Sequence, residues 1–494
     1  MTTSLEPPVF HPIMARRRPA AYLLLLGAAL GCDSGSAPPI EPRIEAVSVG
    51  PNPRNALALD VAAHTLRADS IRFQFTVAGG APDSTGFFPA PGNDTFPVLG
   101  LRPDTSYSVV AEAVGPAGVG RSTPVTVRTG SLPPGLVGVH LEVSGVPTPG
   151  YAVTAVMPGD GSGYLVAFDS AGRLAWYRGV PFDQGEQVLD VRRWPNGNYT
   201  MYVGGSSGWQ PVQGSYLEIT PRGVLRRQFR APAPYYTDGH DIRLEFQDTT
   251  LTAVELFSYD LRPTDLTSIG GPADVLLAGH QLLRMAPGGT PDFFWNGWDY
   301  FKLTDWIEHA GLFAFNPIDF DHPNSLDVTS DGAYLVSWRH LSEVNKIHAQ
   351  SGRVIWRLGG ANNQFTFVDD PENGFSGQHY AREIAPGEIL LYDNGISHAT
   401  PETRMVQYRL DEAAHTATLV WEYRHTPAYL TGTRGSVDRL ESGNTLIGWA
   451  TMGRIEEVTP TKVSLWEGQV MAGTTPLSFY RALRTPSLYR FARP

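Results

Sequence analysis

Residues 326–356 read LDVTSDGAYLVSWRHLSEVNKIHAQSGRVIW, and this stretch decides the fold of the chain. Short apolar runs flank two turns, Asp331-Gly332 and Ser351-Gly352. An Asp-Gly pair between apolar runs is a strong signal for a β-hairpin. The second hairpin ends in an aromatic residue, Trp356. Two successive hairpins predict a four-stranded antiparallel sheet.

Both halves of this pattern recur from Gly135 onward. The half that ends in an aromatic residue occurs six times, and its end residues are Trp176, Phe229, Trp295, Trp356, Trp421 and Trp466. The half with the glycine turn recurs at Gly197, Gly332, Gly387 and Gly443. A single sheet of this kind cannot bury its own faces, so the repeats must stack into a ring. We predict a six-bladed β-propeller over residues 135–494, with residues 475–491 available as a closing strand for the first blade.

The composition agrees with short strands joined by turns. The 494 residues include 52 Gly and 41 Pro, which break helix interiors, and 42% are hydrophobic, enough for a large core. The formal net charge is -11, and an acidic surface argues against a nucleic-acid partner. The single cysteine, Cys32, excludes a disulfide within the chain and a cysteine-based metal site.

A smaller β-sandwich is predicted at residues 44–130. Its candidate strands, which include 71–77 and 107–113, alternate apolar and polar residues. The stretch LGLRPDTSY at 99–107 resembles the tyrosine corner of the fibronectin type III module, in which a tyrosine hydroxyl packs against the preceding loop. The chain is therefore expected to be all-β, with a fibronectin type III-like domain that spaces or docks the propeller.

The N-terminal residues predict export. Three arginines, residues 16–18, precede an apolar run over 20–31 that is too short to span a bilayer and is typical of a secretory signal. The run ends in ALGC and resembles a bacterial lipoprotein signal, which implies a signal peptide at 1–31, lipidation of Cys32 and a linker at 32–43. The protein is then an exported periplasmic or cell-envelope lipoprotein with a membrane anchor. An ordinary cleaved signal with an incidental cysteine stays open.

Three histidines occupy equivalent positions of successive repeats: His240 in DGHDIR, His322 in DHPNSL and His379 in GQHYAR. Equivalent positions of propeller blades are related by rotation about the axis, so these residues should surround one mouth of the channel. A single histidine is usually structural, whereas three in register predict a site. Asn324 and Arg339 belong to the same repeat as His322 and should converge on the same volume.

Neighbouring residues have less specific interpretations. The acidic residues beside the histidines should orient imidazole N–H groups, namely Asp238, Asp241 and Asp321. Several aromatic residues flank the site and can stack on an aryl ring, although packing between blades is favoured for each one: Tyr235, Tyr236, Phe320, Trp338 and Tyr380. Surface or packing roles are expected for the remaining histidines of the propeller, among them His280, His309, His340, His348, His398, His415 and His425.

Residues 140–490 resemble the bacterial arylsulfate sulfotransferases, which are six-bladed periplasmic propellers preceded by a sandwich domain. The resemblance lies in 319–360, where DFDHPNSL leads through SWR to SGRVIWRLGG. It is supported by GHD at 239–241, GQH at 377–379 and GNTL at 443–446. The blade motifs are loose, but His-x-Asn with a downstream Arg and flanking histidines is fairly specific.

This resemblance implies a ping-pong transfer of a sulfuryl group from an aryl sulfate to a phenol. His379 matches the nucleophile that becomes a sulfohistidine. The groups that match those holding the sulfate ester are His240, His322, Asn324 and Arg339. A hydroxyl from the last repeat is also implied, and Thr433 and Ser436 both fit, with Thr433 preferred. The reaction needs no cofactor, metal or nucleotide donor, and the chain shows no phosphate-binding glycine loop.

Two other functions are compatible with these residues. His240, His322 and His379 are able to ligate Zn, with an open position for hydrolase or lyase chemistry, although Arg339 beside a dication is unfavourable. The second alternative is a non-catalytic binding scaffold anchored to a membrane, because a propeller fold alone does not define a function.

Overall fold

The computed structural model describes residues 40–90, 92–181, 186–205, 213–307 and 311–489. From Glu41 onward the chain belongs to one compact unit. The described residues form strands and short 3₁₀ helices but no α-helix, and none of these helices is long and apolar enough to cross a membrane. The predicted signal peptide, Cys32 and most of the predicted linker lie outside the described residues.

The first part of this unit is a β-sandwich of two antiparallel sheets. Its strands are β1 (Arg43–Pro51), β2 (Ala58–Leu66), β3 (Ser70–Val77), β4 (Asp83–Ser84), β5 (Phe88–Pro89), β6 (Asn93–Leu99), β7 (Ser106–Gly115), β8 (Gly118–Arg121) and β9 (Val125–Arg128). One sheet has the order β1-β2-β6, and the other contains β4-β3-β7-β8 with β5 and β9 at its edges. The Tyr107 hydroxyl accepts the backbone N–H of Arg102 at 2.9 Å, which is the predicted tyrosine corner.

Six sheets of four to six strands follow, after strand β10 (Val139–Gly145). Blade 1 contains β11 (Tyr151–Val156), β12 (Ser162–Phe168) and β13 (Leu174–Pro181). Blade 2 contains β14 (Glu186–Arg193), β15 (Tyr199–Gly205), β16 (Ser215–Ile219) and β17 (Leu225–Phe229). Blade 3 contains β18 (Tyr236–Gln247), β19 (Thr250–Thr264), β20 (Val275–Met285) and β21 (Pro291–Asn296), with the short β22 (Ile318–Asp319) beside β20.

The second half of the ring repeats this arrangement. Blade 4 contains β23 (Pro323–Val328), β24 (Tyr334–Trp338), β25 (Glu343–Ile347) and β26 (Val354–Gly359). Blade 5 contains β27 (Thr366–Val368), β28 (His379–Ala385), β29 (Glu388–Asp393), β30 (Arg404–Asp411) and β31 (Thr416–Tyr423). Blade 6 contains β32 (Ser436–Arg439), β33 (Thr445–Trp449), β34 (Arg454–Val458), β35 (Ser464–Ala472) and β36 (Thr475–Pro476), and β37 (Ala482–Thr485) follows it. The 3₁₀ helices are Pro134–Leu136, Thr267–Ile269, Gly297–Asp299, Leu303–Asp305 and Ala450–Met452.

Both ends of the propeller close the ring. Strand β37 pairs with β11 and supplies the fourth strand of blade 1 from the C-terminal side. Strand β10 pairs with β35 and extends blade 6 from the N-terminal side. The predicted closing strand is therefore present, and the prediction of an all-β chain with a six-bladed propeller is confirmed.

The recurring aromatic residues pack between neighbouring blades. Trp176 of blade 1 stacks on Tyr199 of blade 2, with ring centroids 5.2 Å apart. Trp295 of blade 3 lies against Trp338 of blade 4, with centroids 5.4 Å apart. The sequence motif thus recurs because each blade covers the apolar face of the next one.

A buried ionic cluster joins the inner strands. The Asp241 carboxylate of blade 3 accepts hydrogen bonds from Arg192 of blade 2 at 2.8 Å, Arg382 of blade 5 at 2.7 Å and Arg481 beside β37 at 3.2 Å. Burial raises the pKa of Asp241, but the three guanidinium groups outweigh it and hold the pKa well below its usual range. Asp241 therefore ties the blades together and does not orient an imidazole, contrary to the expectation from its position beside His240.

The sandwich rests on the propeller through polar contacts. Arg222 pairs with Asp60 at 3.1 Å, and the Tyr489 hydroxyl accepts the backbone N–H of Leu99 at 2.7 Å. These contacts dock the first domain on blades 1 and 2.

Candidate active site

One mouth of the ring forms a cavity of about 380 Å³. One part of its wall is polar and includes His240, His322, Arg339, His340, His379 and Thr433. The rest is largely apolar and includes Leu189, Tyr202, Tyr259, Leu312, Phe315 and Tyr480. A concave apolar site with a few converging polar groups is the usual form of a small-molecule site. The structure thus brings the three predicted histidines together with Arg339 and Thr433.

His379 is the first residue of β28 and is 2% exposed. Its Nδ1 lies 2.7 Å from Oδ1 of Asn394, and its Nε2 accepts the backbone N–H of Arg434 at 3.1 Å. The Asn394 amide nitrogen donates to the carbonyl of Thr431 at 2.6 Å, which leaves Oδ1 as the acceptor for His379. Burial lowers the pKa of His379 well below its usual value, and the Arg339 cation lowers it further. His379 is therefore a neutral imidazole with its proton on Nδ1.

His240 is held by Asp238. The backbone N–H of His240 donates to Oδ1 of Asp238 at 2.9 Å, and the Nδ1 atom lies 2.9 Å from Oδ2. Burial raises the pKa of Asp238, but His240 and His280 outweigh it, so that the pKa is lowered overall and the carboxylate stays charged. The ring of His240 lies 4.4 Å from that of His322, measured between centroids. The expected orienting role of Asp238 matches this geometry.

His322 sits at a strained turn before β23. Its φ is 51°, in the left-handed region, and its backbone N–H donates to Oδ1 of Asp321 at 3.1 Å. Its Nδ1 is hydrogen-bonded to Asp319. Asp321, expected to orient an imidazole, contacts Nδ1 of His280. Burial lowers the pKa of His322 and raises that of Asp319, so both side chains favour their uncharged forms.

Arg339 follows β24 and links blades 4 and 6. Its backbone N–H donates to the carbonyl of His322 at 2.9 Å, and its Nη2 donates to the carbonyl of Gly432 at 2.9 Å. The loop that begins at Gly432 carries the exposed side chain of Thr433 into the cavity wall. Ser436 is buried, and its hydroxyl exchanges hydrogen bonds with the backbone of Ala482 in β37. Of the two predicted hydroxyls, Thr433 lines the cavity and Ser436 does not.

Asn324 lies behind the cavity wall, contrary to the expectation that it holds the ester. It is fully buried, and its Nδ2 donates to the carbonyl of Gln378 at 2.6 Å. Gln378 immediately precedes His379, so Asn324 supports the backbone that carries the predicted nucleophile. Among the flanking aromatic residues, Trp338 and Phe320 are buried between blades, as favoured from the sequence.

Two histidines with expected packing roles belong to the site region. His340 lines the cavity, its ring centroid lies 4.6 Å from that of His322, and its Nδ1 lies 3.1 Å from the carbonyl oxygen of Asp319. Burial lowers its pKa well below the usual value, and Arg339 lowers it further. His280 lies behind the wall: burial opposes its charged form, but Asp321 and nearby carboxylates outweigh this and raise its pKa to about 9.

The sequence signals for the overlooked residues were weak. His340 directly follows Arg339, so its adjacency to a predicted site residue was a usable signal. Asn394 lies in a turn after β29, and Arg434 contributes only its backbone N–H. Neither a single turn asparagine nor a backbone group can be recognised as part of a site from the sequence. Tyr480 precedes the closing strand and reaches the cavity only because that strand returns to blade 1.

Among the described residues, three sets of side chains have the spacing of a metal site: Asp319/His322/His340, His280/Asp319/Asp321 and His425/Glu456/Glu467. The first set is the one whose members all line the cavity. Asp319, His322 and His340 each place one ligand atom within 4.8 Å of the others. This set differs from the three histidines that the sequence suggested for Zn, because His340 and Asp319 replace His240 and His379.

The fold and the cavity together define a six-bladed propeller with an axial, histidine-rich site. Residues 226–470 match the sequence model of the arylsulfotransferase (ASST) family, and this part of the chain belongs to that family. The matched region contains the three predicted histidines together with Arg339 and Thr433. No curated protein matches the chain.

Solved structures with similar folds are distant. A protein of unknown function from Bacteroides caccae has 13% identity and a TM-score of 0.42, with 68% of this chain and 98% of that chain covered. A virginiamycin B lyase from Staphylococcus aureus has 9% identity and a TM-score of 0.31, with coverage of 67% and 88%. The FN5 domain of Drosophila Lar has 21% identity and a TM-score of 0.17, and covers 19% of this chain and 100% of its own.

Proposed function

We propose that the protein transfers a sulfuryl group from an aryl sulfate ester to a phenol through a covalent intermediate on His379. The observation that carries the proposal is the state of this imidazole: it is buried, neutral and hydrogen-bonded through Nδ1 to Asn394. Its lone pair is therefore on Nε2, at the wall of a cavity that also contains Arg339. A neutral imidazole nitrogen beside a fixed cation suits nucleophilic attack on an anionic ester.

In the first half-reaction, the backbone N–H of Arg434 releases the Nε2 lone pair of His379, to which it donates at 3.1 Å. The lone pair then attacks sulfur, and the bond between sulfur and the aryl oxygen breaks. The bonding electrons leave with the phenolate, which takes a proton from an imidazole. Charge on the three sulfuryl oxygens is stabilised by Arg339 and by the backbone N–H of Arg434, which lies beside Nε2 and passes from that atom to a sulfuryl oxygen. Preorganised donors of this kind contribute roughly 3–4 kcal/mol each.

His240 is the better candidate for the general acid. Burial lowers the pKa of His322 well below its usual value and keeps that ring neutral. His240 instead contacts the charged carboxylate of Asp238 through Nδ1. A phenol has a pKa near 10, so an imidazolium is acidic enough to protonate the departing oxygen. In the second half-reaction, His240 removes the proton of the acceptor phenol, whose oxygen attacks sulfur and releases His379.

The substrate class follows from the remaining wall. Tyr202, Tyr259, Phe315 and Tyr480 contribute aromatic surface to the wall of the same cavity. Aromatic side chains favour offset or edge-to-face contacts with another ring. The proposed partners are accordingly small aryl sulfates and phenols. The lipoprotein-like sequence before Cys32 supports the further proposal that the enzyme works outside the cytoplasm, anchored to a membrane through that cysteine.

A metal-dependent hydrolase or lyase is the second candidate, because Asp319, His322 and His340 have the spacing of a metal site. Arg339 opposes a dication at the same cavity. Elemental analysis distinguishes the two: stoichiometric metal that is required for turnover contradicts a covalent-histidine mechanism.

The direct test uses an aryl sulfate that releases a coloured phenol, first with a second phenol as acceptor and then without one. We expect release with the acceptor present and, without it, a protein that has gained one sulfuryl group by intact mass. His379→Ala should lose both, whereas His415→Ala, which changes an exposed histidine in blade 5, should keep both. Absence of release and of the adduct over a panel of donors and acceptors favours a non-catalytic scaffold.

A further inference from the structure

A buried histidine connects the residues that hold the two cavity histidines His240 and His322. His280 lies in β20 of blade 3 and is 0% exposed. Its Nδ1 atom lies 2.5 Å from Oδ1 of Asp321, and its Nε2 lies 3.7 Å from Oδ2 of Asp238. One imidazole thus bridges two buried carboxylates that belong to different parts of the site.

Each of these carboxylates holds a different histidine of the cavity. Asp238 contacts Nδ1 of His240 and also accepts its backbone N–H. Asp321 accepts the backbone N–H of His322, where the chain turns through a left-handed conformation. Because non-glycine residues rarely adopt that conformation, the turn needs the surrounding hydrogen bonds to persist.

The arrangement depends on the short strand β22, which pairs with blade 3 just before the chain enters blade 4. Strand β22 runs parallel to β20 and pairs Asp319 with Ala278, two residues before His280. The backbone N–H of His280 donates to Oδ2 of Asp321 at 3.2 Å, so both the side chain and the main chain of His280 fix that carboxylate. The segment that enters the His322 turn is thereby joined to blade 3.

We propose that His280 is a positioning residue that holds His240 through Asp238 and the His322 turn through Asp321. The expected effect on catalysis rests on the proposed function. The contacts of His280 with Asp238 and Asp321 belong to the fold and do not depend on that function. A displacement of about 1 Å at a reacting group can lower a rate about 100-fold. His280 is therefore expected to affect turnover without touching the substrate.

Two substitutions separate the two connections. The amide nitrogen of asparagine takes the place of Nδ1, so His280→Asn should keep the contact with Asp321 and lose the one with Asp238. The longer glutamine reaches the place of Nε2, so His280→Gln should favour the contact with Asp238. His240 should be loosened more by His280→Asn than by His280→Gln.

The first measurement needs no turnover. Diethyl pyrocarbonate modifies neutral imidazoles, and peptide mass spectrometry gives its rate at each histidine separately. At pH 8, above the usual histidine pKa of about 6.5, we expect His280→Asn to raise the rate at His240 several-fold over wild type. The rate at His425, a buried histidine outside the cavity, should stay the same. Equal rates at His240 in wild type and His280→Asn overturn the proposal, as does a parallel rise at His425, which indicates general loosening.

The second measurement applies once wild-type turnover is established. His280→Asn should lower kcat/KM about 10- to 100-fold, and the loss should shrink in a His240→Gln background because the two residues act through one connection. Full additivity of the two losses contradicts the proposal. If wild type has no sulfotransferase activity, the proposed function fails, and the modification rates alone decide the role of His280. His425→Gln serves as the matched control.

Discussion

The Nδ1 atom of His379 lies 2.7 Å from Oδ1 of Asn394, and this contact decides which ring nitrogen faces the cavity. The amide of Asn394 cannot turn over without loss of its own hydrogen bonds to the carbonyls of Thr431 and Arg434. The proton of His379 is therefore fixed on Nδ1 and the lone pair on Nε2. The reactivity of the proposed nucleophile is set by a turn after the neighbouring strand.

Replacement of Asn394 should change the pH dependence of the reaction. In Asn394→Asp, a carboxylate faces the Nδ1 proton and favours the imidazolium, so the pKa of His379 should rise. We expect kcat/KM to fall much more at pH 6 than at pH 8, measured as a pH profile of phenol release. Asn394→Leu removes the acceptor and should lower kcat by roughly 100-fold or more at every pH, since the tautomer is no longer fixed. An Asn394→Asp profile equal to that of wild type is inconsistent with this role.

Arg339 should affect both transition-state charge and the protonation of His379. Its cation lowers the pKa of His379, so Arg339→Gln should move the acidic limb of the pH profile to higher pH. Loss of a charge-stabilising donor should also lower kcat/KM roughly 100- to 1000-fold. Arg339→Lys keeps the charge and should restore the acidic limb, but not the full rate, because an ammonium lacks the planar donor pair. If the acidic limb of the pH profile stays in place in Arg339→Gln, the Arg339 cation does not lower the pKa of His379.

Thr433 and Ser436 form a matched pair that separates a cavity role from a structural one. Thr433→Ala removes a hydroxyl from the cavity wall and should raise KM or lower kcat with little change in Tm. Ser436→Ala removes the hydroxyl that holds the closing strand at Ala482 and should cost about 1–3 kcal/mol of the free energy of unfolding, with kinetics near wild type. Steady-state kinetics and thermal unfolding of both variants check this prediction. A stability loss in Thr433→Ala together with a kinetic loss in Ser436→Ala contradicts it.

The stability of the protein should depend on pH in two windows. His322, His340 and His379 have pKa values well below the usual one, mainly because they are buried. The unfolded chain takes up their protons as pH falls below about 6.5, whereas the folded chain does not, so the free energy of unfolding should fall there. His280 has the opposite sign: its pKa of about 9 adds stability that is complete below the unfolded value and is lost as pH rises through 9.

Thermal unfolding between pH 5 and pH 10 tests both windows. We expect a maximum of Tm between them, and His280→Gln should flatten the alkaline side while leaving the acidic side in place. His425→Gln is the control, and an alkaline limb that is identical in wild type and His280→Gln excludes His280 as its source.

The proposed lipid anchor gives a prediction independent of catalysis. Cys32→Ser removes the thiol to which the lipid is attached, so the protein should move from the membrane fraction to the soluble fraction when it is expressed in a bacterium. Specific activity should stay unchanged, because Cys32 precedes the first strand of the sandwich, which begins at Arg43. Equal membrane association of both forms contradicts lipidation at this residue.

The fold was predictable because its signals are local. Turn pairs such as Asp331-Gly332 and the recurring aromatic residues such as Trp356 repeat with each blade, and a repeat that cannot bury its own faces requires a ring. The tyrosine corner at Tyr107 is likewise a short motif with one structural meaning. Register then placed His240, His322 and His379 at one mouth, since equivalent positions of blades are related by rotation.

The sequence by itself determined the blades, the ring and the residue types at one of its mouths. Only the tertiary structure decided that Asn394 orients His379, that Thr433 rather than Ser436 reaches the cavity, and that Asn324 lies behind its wall. The physical reason is that the site is assembled from loops of different blades, where the direction of a side chain depends on turn conformations such as the φ of 51° at His322. The alternation of apolar residues and the turn residues describe each pair of neighbouring strands separately. They carry no information about which loop of another blade contacts that pair.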